Sequence, residues 1–269
     1  MSRKLAACLL MAIVCCFSVF ANGETETAAE ANIILLGDSN TWIGGDLCDN
    51  PKGWNYWLRE TLQPAFCRSY ARSGATWTNT ARTRRNPDEN IAVLGPDNVI
   101  YNQVVRLKAD ADSGRVQIPD LIVVMCGTND AWFSRRRPGI WADDASQVNL
   151  STITSALPSG ATSLARSVML SCRMLQERFP GASLILVTPM PTTATSPANI
   201  ARVADLIARC GKRLGVPVVR LDLESGIDPA EEKVKPRFTT DGTHTSAEGA
   251  RRVADIILKT VIETLSAKD

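Results

Sequence analysis

Six consecutive apolar residues, Leu121-Ile122-Val123-Val124-Met125-Cys126, constrain the fold of this chain more than any other feature. A largely β-branched run with no polar break offers no face to water, so it reads as a strand covered on both sides. Shorter runs of the same kind stand at 32–36, 66–71, 183–187 and 216–221. Between them lie stretches with helical spacing, at 53–62, 163–179 and 197–214, and a final one follows at 246–265. The second repeats Leu164, Val168, Leu170, Met174 and Leu175, and stops at the breaker pair Pro180-Gly181. Buried strands alternating with helices predict one α/β domain, a three-layer α/β/α sandwich around a mostly parallel five-stranded sheet. No internal repeat or linker divides it. The longest irregular stretches, 46–52, 80–98 and 134–161, suit either binding segments or indifferent solvated loops.

The first 23 residues are read apart from this domain. Arg3 and Lys4 precede an uncharged run from Leu5 to Ala21, and small residues follow at Ala21 and Gly23. That is the pattern of a secretory signal peptide, with an uncleaved anchor as the alternative. It implies a secreted or periplasmic protein, with a flexible lead-in at 24–31 and the domain over 32–269. Removing Arg3 and Lys4 from 30 basic residues leaves 28 against 28 acidic ones. A neutral balance gives no reason to expect nucleic acid or stable membrane association as partner. Five cysteines remain, Cys48, Cys67, Cys126, Cys172 and Cys210, without CxxC spacing. They suggest neither a zinc site nor a disulfide framework, although a single Cys48–Cys67 bridge is open in an oxidising compartment. With one histidine no multi-histidine metal site can be built, and no cofactor motif is present, so neither metal nor cofactor is expected.

Four short segments fall at the ends of the expected strands, where an open parallel sheet forms its ligand crevice. Gly37-Asp38-Ser39-Asn40 follows the first strand and Arg72-Ser73-Gly74-Ala75 the second. Gly127-Thr128-Asn129-Asp130 follows the apolar run, and Asp241-Gly242-Thr243-His244 precedes the last helix. Thr245 and Glu248 have the spacing of a capping box that would start that helix and fix His244 just outside it. An aspartate three residues before the chain's single histidine can hold the ring nitrogen and present the other as a base.

Together the four segments resemble the conserved blocks of the SGNH hydrolases, also called the GDSL esterase family, in order and over the whole domain. The resemblance implies the flavodoxin-like fold of that family and hydrolysis of a carboxylic ester through an acyl-enzyme. It makes Ser39 the nucleophile, His244 the general base and Asp241 the residue orienting it. The oxyanion hole would be the amides of Ser39 and Gly74 with the side chain of Asn129. Asp38, Asn40, Trp77, Asp130 and Trp132 are expected to contact substrate. Two positions depart from the pattern: Asn40 replaces the usual leucine, and Ser69 the usual asparagine, which keeps Ser73 open as an alternative donor to Gly74.

The partner is thus a small-molecule or polysaccharide ester. Export, and tryptophans near the blocks (Trp42, Trp77, Trp132, Trp141), lean toward a short acyl group on a carbohydrate, although such tryptophans also serve as packing. Arg135-Arg136-Arg137 suits an acidic polysaccharide or phosphate, or simply a solvated basic loop. Lipid or thioester hydrolysis and acyl transfer occur on the same scaffold, and a non-catalytic carbohydrate-binding protein would keep the fold without the reaction.

Overall fold

The computed structural model describes residues 28–88 and 93–268. The proposed signal segment and most of the lead-in lie outside them. Five parallel strands form one sheet in the order β2-β1-β3-β4-β5. They are β1 (Asn32–Gly37), β2 (Phe66–Ser69), β3 (Leu121–Met125), β4 (Ser183–Val187) and β5 (Val218–Val219). The register sets Leu35 beside Ser69 and Val123, and Gly37 beside Met125, so the strands end on one common rim.

Alternation along the strands separates two cores. Ile34, Leu36, Ile122, Val124, Leu184 and Leu186 face one side, while Ile33, Leu35, Val123, Met125, Ile185 and Val187 face the other. The first core is closed by α3 (Ile100–Asp112), α5 (Leu164–Arg178) and α6 (Pro197–Leu214); the second by α2 (Trp54–Leu62) and α9 (Ala247–Ser266). Each such aliphatic side chain contributes roughly 1.5–3 kcal/mol by leaving water. Short helices α1 (Ser39–Trp42), α4 (Thr128–Phe133), α7 (Leu221–Glu224) and α8 (Pro229–Val234) complete the described elements with several 3₁₀ turns. This is the expected three-layer α/β/α arrangement.

Local chemistry explains the boundaries. Helix α6 begins where Ser196 accepts from the Asn199 amide ahead of Pro197, and ends at Gly215 in the left-handed region. Its apolar stripe, Ile200, Val203, Ala204 and Ile207, has the spacing of one buried face.

Several expectations need correction. Helix α9 is capped by Ser246, whose hydroxyl accepts from the Gly249 amide at 3.2 Å, so no Thr245–Glu248 capping box forms. Thr245 instead donates to the carbonyl of Lys52, and Glu248 pairs with Arg237. Residues 28–31 are no flexible lead-in: Ala28 and Ala31 are buried in the second core. The 134–161 segment is built of 3₁₀ turns that bury Ile140, Ala145, Val148 and Ile153. Strand β5 is cut to two residues, and helix α3 was not foreseen. The Cys48 and Cys67 thiols are free, with their sulfurs 3.6 Å apart.

Candidate active site

Strand β1 runs directly into helix α1, and Ser39 occupies the first helical position. Asp38 caps that helix, accepting from the Asn40 amide at 3.1 Å. The strand end is fixed from below by Gln103 of α3. Its carboxamide accepts from the Gly37 amide (2.9 Å) and donates to the Gly37 carbonyl (2.8 Å), gripping the residue before the Asp38-Ser39 turn. The Asp38 amide donates to Met125 and that of Arg72 to Gly37, so the chain leaving β2 continues beside β1 as far as the Ser73-Gly74 turn. Gly74 has φ +77, and a Cβ there would come within 3.1 Å of Leu94 and 3.0 Å of Val93. The amides of Ser39, Ser73 and Gly74 have no protein acceptor among the described residues.

Asn129 stands in the first turn of α4, after β3, and is 5 % exposed. One of its side-chain N–H groups donates to the Ala75 carbonyl at 2.9 Å, and the amide has a second N–H to offer. The carboxylate of the next residue, Asp130, accepts from the amides of Trp77 and Thr78, both at 2.9 Å. The Trp77 indole donates to the Cys126 carbonyl at 3.0 Å. The segments after β1, β2 and β3 are thus stitched into one unit.

The fourth segment arrives from the surface. Asp241 Oδ2 lies 2.7 Å from His244 Nδ1, and its Oδ1 accepts from the amides of His244 (2.8 Å) and Thr243 (3.0 Å). Gly242 adopts φ +82, and a Cβ there would meet the Thr193 hydroxyl at 2.1 Å. Thr193 donates to the Gly242 carbonyl, and the Thr192 hydroxyl lies 2.6 Å from that of Thr243. With Thr245 bound to Lys52, the turn is pinned between the loop after β4 and the loop leading from α1 to α2. Beneath it Glu232 accepts from the amides of Arg237, Phe238 and Thr239 and from the Thr239 hydroxyl, which itself accepts from Gly242.

The carboxylates of the two halves titrate in opposite directions. Complete burial pushes Asp38 up to about 6 against the opposing amides of Asn40 and Thr128, with the charge of Asp130 adding to the rise. Burial also raises Asp130 despite its bonds to Thr78 and Trp77. For Asp241 burial works in the same sense, but the amide and ring of His244 and the amide of Thr243 outweigh it and hold the carboxyl below its ordinary range. Glu232 is held low in the same way by its hydroxyl and amide donors.

Substrate contact by Asp38, Asn40, Trp77 and Asp130 does not fit this geometry. All four side chains are buried; Trp77 and Asp130 are engaged in internal hydrogen bonds, and Asp38 gives its Oδ1 to the Asn40 amide while its Oδ2 has no partner among the described residues. The Asn40 carboxamide has no partner among the described residues. Trp132 is the exception, at 48 % exposed. The sequence does not mark Gln103, which reaches Gly37 from a distant helix, nor Glu232, whose partners are mostly backbone amides that no side-chain pattern signals.

Residues 35–252 match the model of the GDSL-like lipase/acylhydrolase family. The chain belongs to that family and is a carboxylic ester hydrolase. No curated protein matches it significantly. Solved structures agree on the fold at low identity. A protein described as a possible lipase from Chitinophaga pinensis is 18 % identical, with a TM-score of 0.55 over 86 % of this chain and 97 % of that one. An acetyl xylan esterase is 17 % identical, with a TM-score of 0.53 over 86 % and 99 %. A lipase/acylhydrolase from Enterococcus faecalis is also 17 % identical, with a TM-score of 0.50 over 86 % and 96 %.

Proposed function

We propose that this protein is an exported serine esterase that removes short acyl groups, acetyl foremost, from a carbohydrate. The observation that carries the catalytic part is the 2.7 Å Asp241–His244 pair, on a turn tied to the loops after β4 and α1, while Ser39, Gly74 and Asn129 follow the neighbouring strands β1, β2 and β3. In this reading Asp241 keeps the proton on His244 Nδ1 and leaves Nε2 as the base. Nε2 takes the proton of Ser39 Oγ as that oxygen attacks the ester carbonyl carbon. The resulting oxyanion is met by the amides of Ser39 and Gly74 and the second side-chain N–H of Asn129. The protonated imidazole then gives its proton to the departing alkoxide, leaving an acyl-enzyme. Water attacks that ester by the same route in reverse, releasing the acid and restoring Ser39.

Support for a carbohydrate carrier is the exposed Trp132 beside Asn129, the fold shared with an acetyl xylan esterase, and the N-terminal segment with its signal-peptide pattern. Two measurements test the reading. A fluorophosphonate probe should label Ser39 and fail to label Ser39→Ala. A series of p-nitrophenyl esters should show turnover falling from acetate to long chains, alongside acetate release from acetylated polysaccharide. Full activity in Ser39→Ala would refute the mechanism, and preference for long acyl chains would refute the deacetylase.

A further inference from the structure

At the far end of α4, the helix that carries Asn129, lies a cleft of about 620 Å³ that the mechanism leaves unused. One wall is the end of α4 and the turn after it, with Trp132, Phe133, Arg135 and Arg136; the other is the loop entering α6, with Thr195 and Asn199. The two walls touch where the Thr195 hydroxyl donates to the Ala131 carbonyl. Both belong to the site already described. Trp132 is three residues from Asn129, and the opposite loop carries Thr192 and Thr193, which hold the His244 turn. The cleft is thus walled by continuations of the two segments that carry Asn129 and brace the His244 turn.

The chemistry of the walls is specific. Trp132 and Phe133 stack with centroids 6.0 Å apart and planes 20° from parallel, and Trp132 is half exposed. Such a flat face suits the C–H face of a sugar ring. Arg135 and Arg136 are exposed and have no carboxylate or ring partner among the described residues. Arg166, Arg178 and Arg220, by contrast, each hold an aspartate. No acidic side chain lines the cleft, and the 18-residue helix α6 points its positive N-terminal end into it. Guanidinium groups bind carboxylates as a planar fork, a stronger match than hydroxyls offer. A bare phosphate would use the charge but not the aromatic face.

We propose that this cleft binds the carboxylate-bearing sugar of an acidic oligosaccharide, so that the ester cleaved at Ser39 is carried by a uronic-acid polymer. The inference rests on the serine-esterase reading for its substrate, but the binding itself can be measured without turnover. Calorimetry with unesterified galacturonide oligomers should show binding that weakens as salt rises, and that falls about tenfold or more in the Arg135→Gln/Arg136→Gln double variant. Acetylated galacturonides should be hydrolysed with a lower KM than the same oligomers with their carboxylates methyl-esterified. That preference should shrink toward unity in the double variant. Absence of galacturonide binding, or equal KM for acid and methyl ester, overturns the inference, as does competition by inorganic phosphate without competition by galacturonide. Failure of Ser39 to label with fluorophosphonate refutes the esterase reading alone, because the calorimetric result stands independently of it.

Discussion

Ser39 stands on a platform sealed into the protein and is 7 % exposed, whereas the His244 ring rides on a surface turn and is one third exposed. The platform is held by groups that pay for burial: Asp38 and Asp130 are both pushed toward protonation, and Gln103 spends its whole carboxamide on one glycine. The turn is held by carboxylates in their favoured charged state, Asp241 and Glu232, each accepting several N–H and O–H groups. Carboxylates alone therefore do not say whether a segment gains or loses from its charges. The balance of desolvation against donors decides it, and here it divides the site in two.

The largest expected effect treats both halves alike. Ser39→Ala and His244→Ala should each lower kcat by at least about 10⁴-fold while the protein stays folded. His244→Ala should cost only about 1 kcal/mol of stability, since the ring is partly exposed and its main partner is the solvent-accessible Asp241 carboxylate. Steady-state kinetics beside a denaturant melt checks both, and a large loss of stability would show the turn to be more deeply built in than its exposure indicates. Asn129→Ala comes next, with a loss of about 10²–10³ in kcat and little change in KM, as befits a donor used mainly when the oxyanion forms. A loss confined to KM would mean that the Asn129 amide serves binding instead.

How far the sequence reaches follows the same divide between local and remote contacts. The alternation of strands 32–36, 121–126 and 183–187 with amphipathic segments implies the sheet, and helix α6 is bounded as its serine, proline and glycine signals imply. The Asp241–His244 pair is legible because a three-residue spacing closes within one turn. Helix α3 was not legible, because its buried face includes Asn102, Gln103 and Arg106, which reach the backbones of Arg84, Gly37 and Tyr70. Those polar residues erase the apolar period that marks a buried helix. Strand β5 is shorter than its apolar run because Arg220 turns away to pair with Asp205 and Asp222, and α7 begins. A substrate-facing role for Asp38, Asn40, Trp77 and Asp130 is excluded by their burial for a related reason: proximity in sequence to a candidate nucleophile or oxyanion donor does not say which side chains turn inward.

Glu232→Ala attacks the turn without touching it. Removing that carboxylate strands three backbone amides and the Thr239 hydroxyl, which costs about 3 kcal/mol. Because Thr239 also receives the Gly242 amide, the His244 turn should loosen, and kcat should fall more than KM changes. Glu232→Gln keeps one accepting oxygen and should restore part of both losses. If the alanine variant loses stability but keeps full kcat, the turn is held by Thr192, Thr193 and Lys52 alone.

The smallest effect concerns the platform's charge, and its sign follows from Asp38. The folded carboxyl titrates at about 6, above its ordinary 3.8, so between those values the folded protein binds a proton that the unfolded chain has released. Stability from this group is therefore greatest in acid and declines as pH rises through that window, by at most about 3 kcal/mol. Asp241 and Glu232 act oppositely, their contributions appearing as the pH rises, so the pH profile of the native protein alone mixes the two. Asp38→Asn isolates the platform: its carboxamide oxygen can still accept from the Asn40 amide, but it carries no charge to desolvate. The variant should gain stability over the native protein at pH 7.5 and lose that advantage by pH 4, as read from denaturant melts at both values. An advantage of the same size at both would mean that packing, not buried charge, sets the cost of holding Ser39 in place.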